Sequence, residues 1–506
     1  MSDKKRIAKN TFALYVRMIF VMAITLFSSR IVLEKLGVTE FGVYSSVGGV
    51  VAMLSFLNAT LSTGTSRFIT FELGREDSRR LRETFSTAFY THLILALIVV
   101  LALVAGGTYF VSHKLVIPES LQTPALWTFY ISVFTAFISF TQVPYTAMII
   151  ANEKMSIYAY IGIVEACGRL GVAYAISLAP IEKLIWYAAL TAGLQLTVAL
   201  SYRFYCLHRY EESRFALIFK KEICKKLLRF SGWNLLANVS QMLSTQGLIV
   251  LINMFFAPAL AAAQAIGNQI SSAMTQFSSN FMLAINPQII KLYSKGEYEA
   301  SRKLNLQTTV LVWDLMLLIG LPLIVCMNPL IHLWLVDVPD YAVIFARYIV
   351  ASQIINTFSM TFYVPMIASG QLRDNSLAAL LVTAVEFVVL YGLLKAGFDV
   401  MWVQYMTILV AVIFGFGVKP VILCRKIGYK VREMCRCYLQ CLKSAILPIA
   451  TCLVTVYIFD INESISYSII AMIVIMMAVA VSSFINLTQS ERQYIVSIVK
   501  NRLKAQ

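Results

Sequence analysis

Ionisable and amide side chains inside long apolar runs are the residues of this chain that could do chemistry. A charge at the centre of a bilayer costs roughly 2.5 to 3.5 kcal/mol on insertion scales, so each such group must face protein or water. Arg17 is the first of them, and on a helical wheel Asn10 and Ser28 share its face. Further along, Asn234, Asn238, Gln241 and Thr245 recur at i, i+4, i+7 and i+11, and Gln264, Asn268, Ser271, Thr275 and Ser279 climb one side of the next apolar segment. Such stripes are either hydrogen-bonding glue between helices or the walls of a hydrated cavity. Two consecutive stripes together with an arginine favour the cavity, so Asn10, Arg17, Asn234, Asn238, Gln241, Gln264 and Asn268 are the substrate-binding candidates.

Carboxylates are the other scarce group. Glu165 and Arg169 stand one turn apart in the order that favours an intrahelical ion pair. They are either that structural pair or, for Arg169, a second cation for substrate. Glu386 has no cation at i+4, so it binds a partner elsewhere, is protonated, or holds a coupling cation such as H+ or Na+. Asp314 raises the same choice, and Glu165, Glu386 and Asp314 are the ion-coupling candidates.

The elements that position these residues must be membrane helices. Of the 506 residues 59% are hydrophobic and only 13% charged, and the mean hydropathy is +0.75. Fourteen apolar runs are long enough to cross a hydrocarbon core as helices, at about 10–35, 41–63, 84–112, 124–150, 157–179, 183–206, 229–256, 260–288, 304–328, 341–369, 375–397, 400–424, 440–460 and 464–487. The expected fold class is an all-α polytopic membrane protein. Lys and Arg gather at the N-terminus and in alternate loops, including Arg203 to Arg229 and Lys419 to Lys443. That bias places both termini in the cytoplasm. The net charge of +16 is then mostly topology; it is spread over many loops, which disfavours a nucleic-acid partner and leaves the lipid bilayer as the charged surroundings.

The opening MSDKKRIAKN enters the first span without a small-residue cleavage site, so no removable signal peptide is expected. Nine scattered cysteines imply no disulfide framework, and Cys435, Cys437 and Cys441, read as a cytoplasmic cluster, have no histidine or second cysteine pair nearby to complete a metal site. No cofactor or metal is expected.

Sliding the chain on itself by 221 residues superposes Val143 and Pro144 on Val364 and Pro365, and Val164 and Glu165 on Val385 and Glu386, without a gap. The expected organisation is an N-terminal lobe at 1–206, a cytoplasmic linker at 207–228, a C-terminal lobe at 229–424, two extra helices within 440–487 and a cytoplasmic tail at 488–506. The two six-helix lobes are pseudo-symmetric about an axis along the membrane normal. Pro144 and Pro365 each fall near a cytoplasmic helix end, where proline removes a backbone hydrogen bond and bends the helix; they are either hinges or static kinks.

The opening NTFALYVRMIF with SSRIVLEKLGVTEFGVYS, including Gly37, Phe41, Gly42 and Tyr44, the stretch VPYTAMIIANEKM, and the plan of two six-helix lobes plus two helices resemble the multidrug, oligosaccharidyl-lipid and polysaccharide exporter (MOP) superfamily. Within it they resemble the Wzx-type O-antigen and polysaccharide flippases. The resemblance implies alternating access in the bacterial inner membrane, with an undecaprenyl-pyrophosphate-linked oligosaccharide carried from the cytoplasmic to the periplasmic leaflet. It also implies partner enzymes, a polysaccharide polymerase and glycosyltransferases. Buried arginine suits a diphosphate, with Arg17 first and Arg169 second, and amide stripes suit sugars. Alternatives within the superfamily are a cation-coupled multidrug antiporter and a lipid II flippase. An enzyme is disfavoured, because the outer loops are short and neither His113 nor His332 has an acidic partner at catalytic spacing.

Overall fold

A computed structural model describes residues 3–53, 55–73, 77–152, 154–180, 182–214, 216–459 and 465–486; for 3–19 and 229–234, among others, only the backbone is described. The helices in chain order are α1 Asp3–Leu36, α2 Val38–Ala52, α3 Ser55–Leu73, α4 Ser78–His113, α5 Gln122–Ala151, α6 Met155–Ala175, α7 Lys183–Arg209, α8 Lys221–Met242, α9 Leu248–Phe255, α10 Pro258–Ser294, α11 Tyr298–Val325, α12 Met327–Trp334, α13 Ala342–Ser369, α14 Leu372–Lys395, α15 Met401–Ile427, α16 Val431–Ile458 and α17 Ile465–Asn486. No strand occurs among the described residues. The all-α polytopic class expected from composition is the class observed.

Among the described residues ten helical segments are long and apolar enough to cross a membrane. They coincide with the third to sixth and ninth to fourteenth predicted runs. The remaining four runs fall on α1, on α2 with α3, on α8 with α9, and on α10, each of which includes residues of which only the backbone is described. Two of these runs are interrupted. The second breaks after Ala52, and the seventh passes through a wide π-turn at Leu243–Gly247.

By packing the chain forms two compact units: residues 1–266 with 334–342 and 376–403, and residues 267–333 with 343–375 and 404–506. These units are drawn by contact and do not follow the sequence repeat, since 229–266 and 376–403 go with the first.

In the first unit one apolar core joins Val43 and Val47 of α2 to Phe129, Val133 and Phe140 of α5, and a second joins Phe85, Tyr145, Met148 and Tyr202. The motif around Gly37 acquires a physical reason here. Gly37 has φ +81°, a conformation that side chains resist, and it turns α1 into α2. Gly42 faces the backbone of Pro258, where a Cβ would fall 2.0 Å from the carbonyl oxygen. Lipid supplies no hydrophobic drive between helices, so close backbone approach at small residues is a main source of packing energy.

In the second unit Trp313, Phe358, Phe416 and Tyr438 stack with centroids 4.8 to 5.1 Å apart. α16 and α17 pack on each other and on α11. These two extra helices are tied into this unit by hydrogen bonds: Tyr438 donates to the Gly415 carbonyl at 2.6 Å, and Ser482 to Ser444 O at 2.9 Å. α16 also starts earlier than expected, so Cys435, Cys437 and Cys441 are helical, with Cys437 and Cys441 buried in the core.

Three wide turns share one device. Each carries a glycine against a phenylalanine ring: Gly107 against Phe129, Gly247 against Phe387 and Gly415 against Phe358. An added Cβ would lie 2.5, 2.9 and 3.4 Å from the nearest ring or side-chain atom. At Gly107 and Gly247 the glycine lets the ring fill the place a side chain would take, whereas at Gly415 the separation is ordinary contact.

Candidate functional site

α6 presents Glu165 and Arg169 one turn apart, and Arg169 Nη2 donates to Glu165 Oε1 at 2.7 Å. Of the ion pairs expected from spacing this one forms. Both side chains stay accessible, 27% for Glu165 and 58% for Arg169. Tyr44 of α2 and Tyr187 of α7 lie beside the pair with ring centroids 4.7 Å apart and Arg169 within electrostatic reach of both, while Thr191 donates to the Tyr187 carbonyl at 2.8 Å. A guanidinium steadied by a carboxylate, with two phenols beside it, is an array of donors suited to phosphate or sugar oxygens. Tyr187 and Thr191 carried no signal in the sequence, because a tyrosine and a threonine in an apolar helix read as ordinary packing.

α1 packs along α6, so the helix that carries Asn10 and Arg17 runs beside the one that carries Arg169. The side chains of Asn10, Arg17 and Asn234 lie outside the described residues. On α8, Asn238 is half-buried and engaged, and Gln241 is exposed. Thr245 Oγ1 donates to Gln241 O at 3.0 Å, so its hydroxyl is satisfied within its own helix. On α10 the stripe changes character along its length. Gln264 is buried and engaged, Asn268 and Ser271 are half-buried, and Thr275 and Ser279 are exposed. Thr275 donates to Ser271 O at 2.9 Å and to Gln353 Oε1 of α13 at 3.4 Å. One end of this stripe therefore serves helix packing and the other is open.

The two carboxylates superposed by the repeat have opposite surroundings. Glu165 is ion-paired and partly open, whereas Glu386 on α14 is 2% exposed and its Oε2 has no hydrogen-bond partner among the described residues. Its neighbour Phe387 is the ring that fills Gly247 beside the α8 stripe. Asp314 is buried on α11 near Ser444 of α16 and Ser483 of α17, with Oδ1 unpartnered among the described residues; the Ser444 hydroxyl donates to Cys441 O at 2.9 Å. No other predicted site residue is recorded at either carboxylate.

Two cations read as cytoplasmic loop charges are placed otherwise. Arg203 lies inside α7, where Nη2 donates to Thr141 Oγ1 at 2.6 Å and the guanidinium stands 5.7 Å from the Tyr145 ring. Lys419 lies inside α15, 8% exposed, and Nζ donates to the Ser359 carbonyl at 2.6 Å. A basic residue near the end of an apolar run is ambiguous by sequence, since it can snorkel outward or turn inward. Here both turn inward.

Pro144 and Pro365 are both buried inside helices, two turns before Ala151 in α5 and one turn before Ser369 in α13. The polar residues after each proline cap the helix by different means. Asn152 sends both its backbone N–H and its side-chain amide to Met148 O, at 3.1 and 2.9 Å. Gly370, at φ +73°, turns the chain so that Gln371 N–H reaches Met366 O at 3.0 Å.

No family model and no curated protein matches the sequence. Solved structures do match in three dimensions. An inward-closed lipid II flippase MurJ aligns with TM-score 0.68 and 12% identity over 94% of this chain and 98% of its own. An inward-facing multidrug resistance MATE family transporter of the MOP superfamily aligns with TM-score 0.63 and 13% identity over 84% of this chain and 98% of its own. A MOP superfamily transporter from Pyrococcus furiosus aligns with TM-score 0.53 and 13% identity over 83% and 96%. The chain is a multi-pass membrane protein that has the fold of the MOP superfamily transporters.

Proposed function

We propose that this protein is a transporter, not an enzyme, that flips an undecaprenyl-pyrophosphate-linked oligosaccharide from the cytoplasmic to the periplasmic leaflet of the bacterial inner membrane by alternating access. The observation that carries the reading is the extent of the fold match. The lipid II flippase covers 94% of this chain, against 82 to 84% for the MATE transporters. The chain thus matches a lipid flippase over more of its length than a drug transporter, and α16 and α17 are integral to the fold. The Arg169 array supports an anionic, oxygen-rich cargo, and the open end of the α10 stripe supports contact with sugars.

In this reading Arg17 and Arg169 meet the diphosphate, and Asn10, Asn234, Asn238, Gln241, Gln264 and Asn268 line the passage. Pro144 and Pro365 bend the helices as access alternates. Glu386 and Asp314 are the carboxylates available to couple transport to H+ or Na+, because each is buried with an oxygen unpartnered among the described residues. Both termini face the cytoplasm, and the protein works with glycosyltransferases that build the cargo and a polymerase that extends it. No cofactor takes part.

Lipid analysis of cells lacking the protein tests this. Polyprenyl-pyrophosphate-linked glycans should accumulate facing the cytoplasm while surface polysaccharide disappears, with rescue by the native chain but not by Arg17→Ala. Unchanged lipid-linked glycans together with new sensitivity to cationic drugs would instead support the multidrug antiporter.

A further inference from the structure

The first unit carries a groove of about 800 Å³ between α6 and α7 that none of the residues above explains. Its wall is Ile157, Tyr160 and Ile161 from α6 and Leu200, Phe204 and Tyr205 from α7, and His208 and Arg209 stand at one end. Phe204 is 66% exposed and Leu200 51%, on helices among the least buried of the membrane spans. Of the hydroxyls in the wall, Thr197 donates to Gly193 O at 2.9 Å and Ser201 to Thr197 O at 2.8 Å, which leaves the phenols of Tyr160 and Tyr205 as its other polar groups. The wall is therefore mostly apolar and suits hydrocarbon.

The mouth is different. Arg209 makes no recorded ion pair among the described residues, and the nearby Glu211 is taken by Arg214 at 3.8 Å. His208 sends Nδ1 to the Phe204 carbonyl at 3.0 Å, which leaves Nε2 as its free nitrogen. Lys154, at the start of α6, adds a third basic residue where the two helices reach the same end. From Thr197 to Arg209 a helix rises about 18 Å, close to the roughly 15 Å of hydrocarbon in one leaflet plus the headgroup boundary.

From this match of length, wall and charge we infer that the groove between α6 and α7 is a binding site for one anionic glycerophospholipid of the bilayer. An acyl chain lies along Ile161, Leu200 and Phe204, and the phosphate meets Arg209. The inference does not rest on the cargo proposed above. Arg203 takes no part, because its guanidinium is turned to Thr141 and Tyr145.

The test is native mass spectrometry of the purified full-length protein offered phosphatidylglycerol and phosphatidylcholine with identical acyl chains. The native chain should retain phosphatidylglycerol about fivefold better, the effect of one arginine near an anionic headgroup. Arg209→Gln should remove the preference while retaining both lipids, and Leu200→Trp, which fills the groove, should lower retention of both. Lys295→Gln, on a distant loop, should change neither. If Leu200→Trp does not yield folded protein, Thr197→Leu fills the same wall. A preference unchanged in Arg209→Gln, retention unchanged by filling the groove, or undecaprenyl phosphate retained ahead of phosphatidylglycerol would each overturn the assignment.

Discussion

The Lys419 ammonium donates to the Ser359 carbonyl at 2.6 Å and lies 5.2 Å from the centre of the Tyr363 ring. The contact ties α15 to α13 about two turns before Pro365, in a setting where an ammonium has lost most of its water. Lys419→Met keeps the length and removes the charge, so it should leave thermal unfolding in detergent within about 1 kcal/mol of native. Lys419→Glu puts a carboxylate against a carbonyl oxygen and should cost on the order of 3–5 kcal/mol. Equal melting of the two variants would show that the site is not dry.

Gly42 and Gly48 lie on the same helix with different neighbours. A Cβ at Gly42 would meet the Pro258 carbonyl oxygen at 2.0 Å, while one at Gly48 meets nothing within 4 Å. Gly42→Ala should destabilise by about 1–3 kcal/mol or more through overpacking. Gly48→Ala should be neutral or stabilise by up to ~1 kcal/mol, because alanine favours a helix. Thermal melts of the two single variants decide the matter.

Glu165 and Arg169 form a partly open intrahelical pair, so their coupling in a double-mutant cycle should be only about 0.3–0.5 kcal/mol. Arg169→Gln should therefore fold like the native chain. If the array with Tyr44 and Tyr187 serves the cargo, the same variant lowers flipping severalfold in reconstituted vesicles. Native flipping with native stability would reduce the pair to a surface feature.

Replacing a helix-interior proline by alanine restores a backbone hydrogen bond worth about 1 kcal/mol. Pro144→Ala and Pro365→Ala should thus melt at or above the native temperature. A loss of transport in these stable variants, measured as glycan accumulation in cells, is the outcome expected of bending elements. Transport at the native rate would leave the prolines as static kinks.

Glu165 and Glu386 show how far the chain could be read unaided. The 221-residue offset pairs them, and the absence of a cation at position 390 already distinguished Glu386. The ion pair at Glu165 followed from helical spacing alone, because i,i+4 neighbours meet in any helix. The burial of Glu386 did not, because it depends on which helices pack beside α14. Arg203 and Lys419 were misread for the same reason: their sequence neighbourhoods describe the end of a span, and only the neighbouring helices determine which way a long basic side chain turns.

What the sequence by itself determined is where most of the membrane helices run, since apolar length against hydrocarbon thickness is a property of each segment alone, and ten of the fourteen expected spans recur among the described residues, with Val431–Ile458 starting well before its expected place. The proline inside a helix near its end was equally legible, as at Pro144. What only the tertiary structure decided is which polar groups meet. Tyr44 and Tyr187 come beside Arg169 from two other helices, Asp314 is buried near serines of the last two helices, and Gly107 and Gly247 take phenylalanine rings. Helix–helix partners in a membrane are chosen by shape and by a few hydrogen bonds distant in sequence, and neither leaves a periodic trace in the chain.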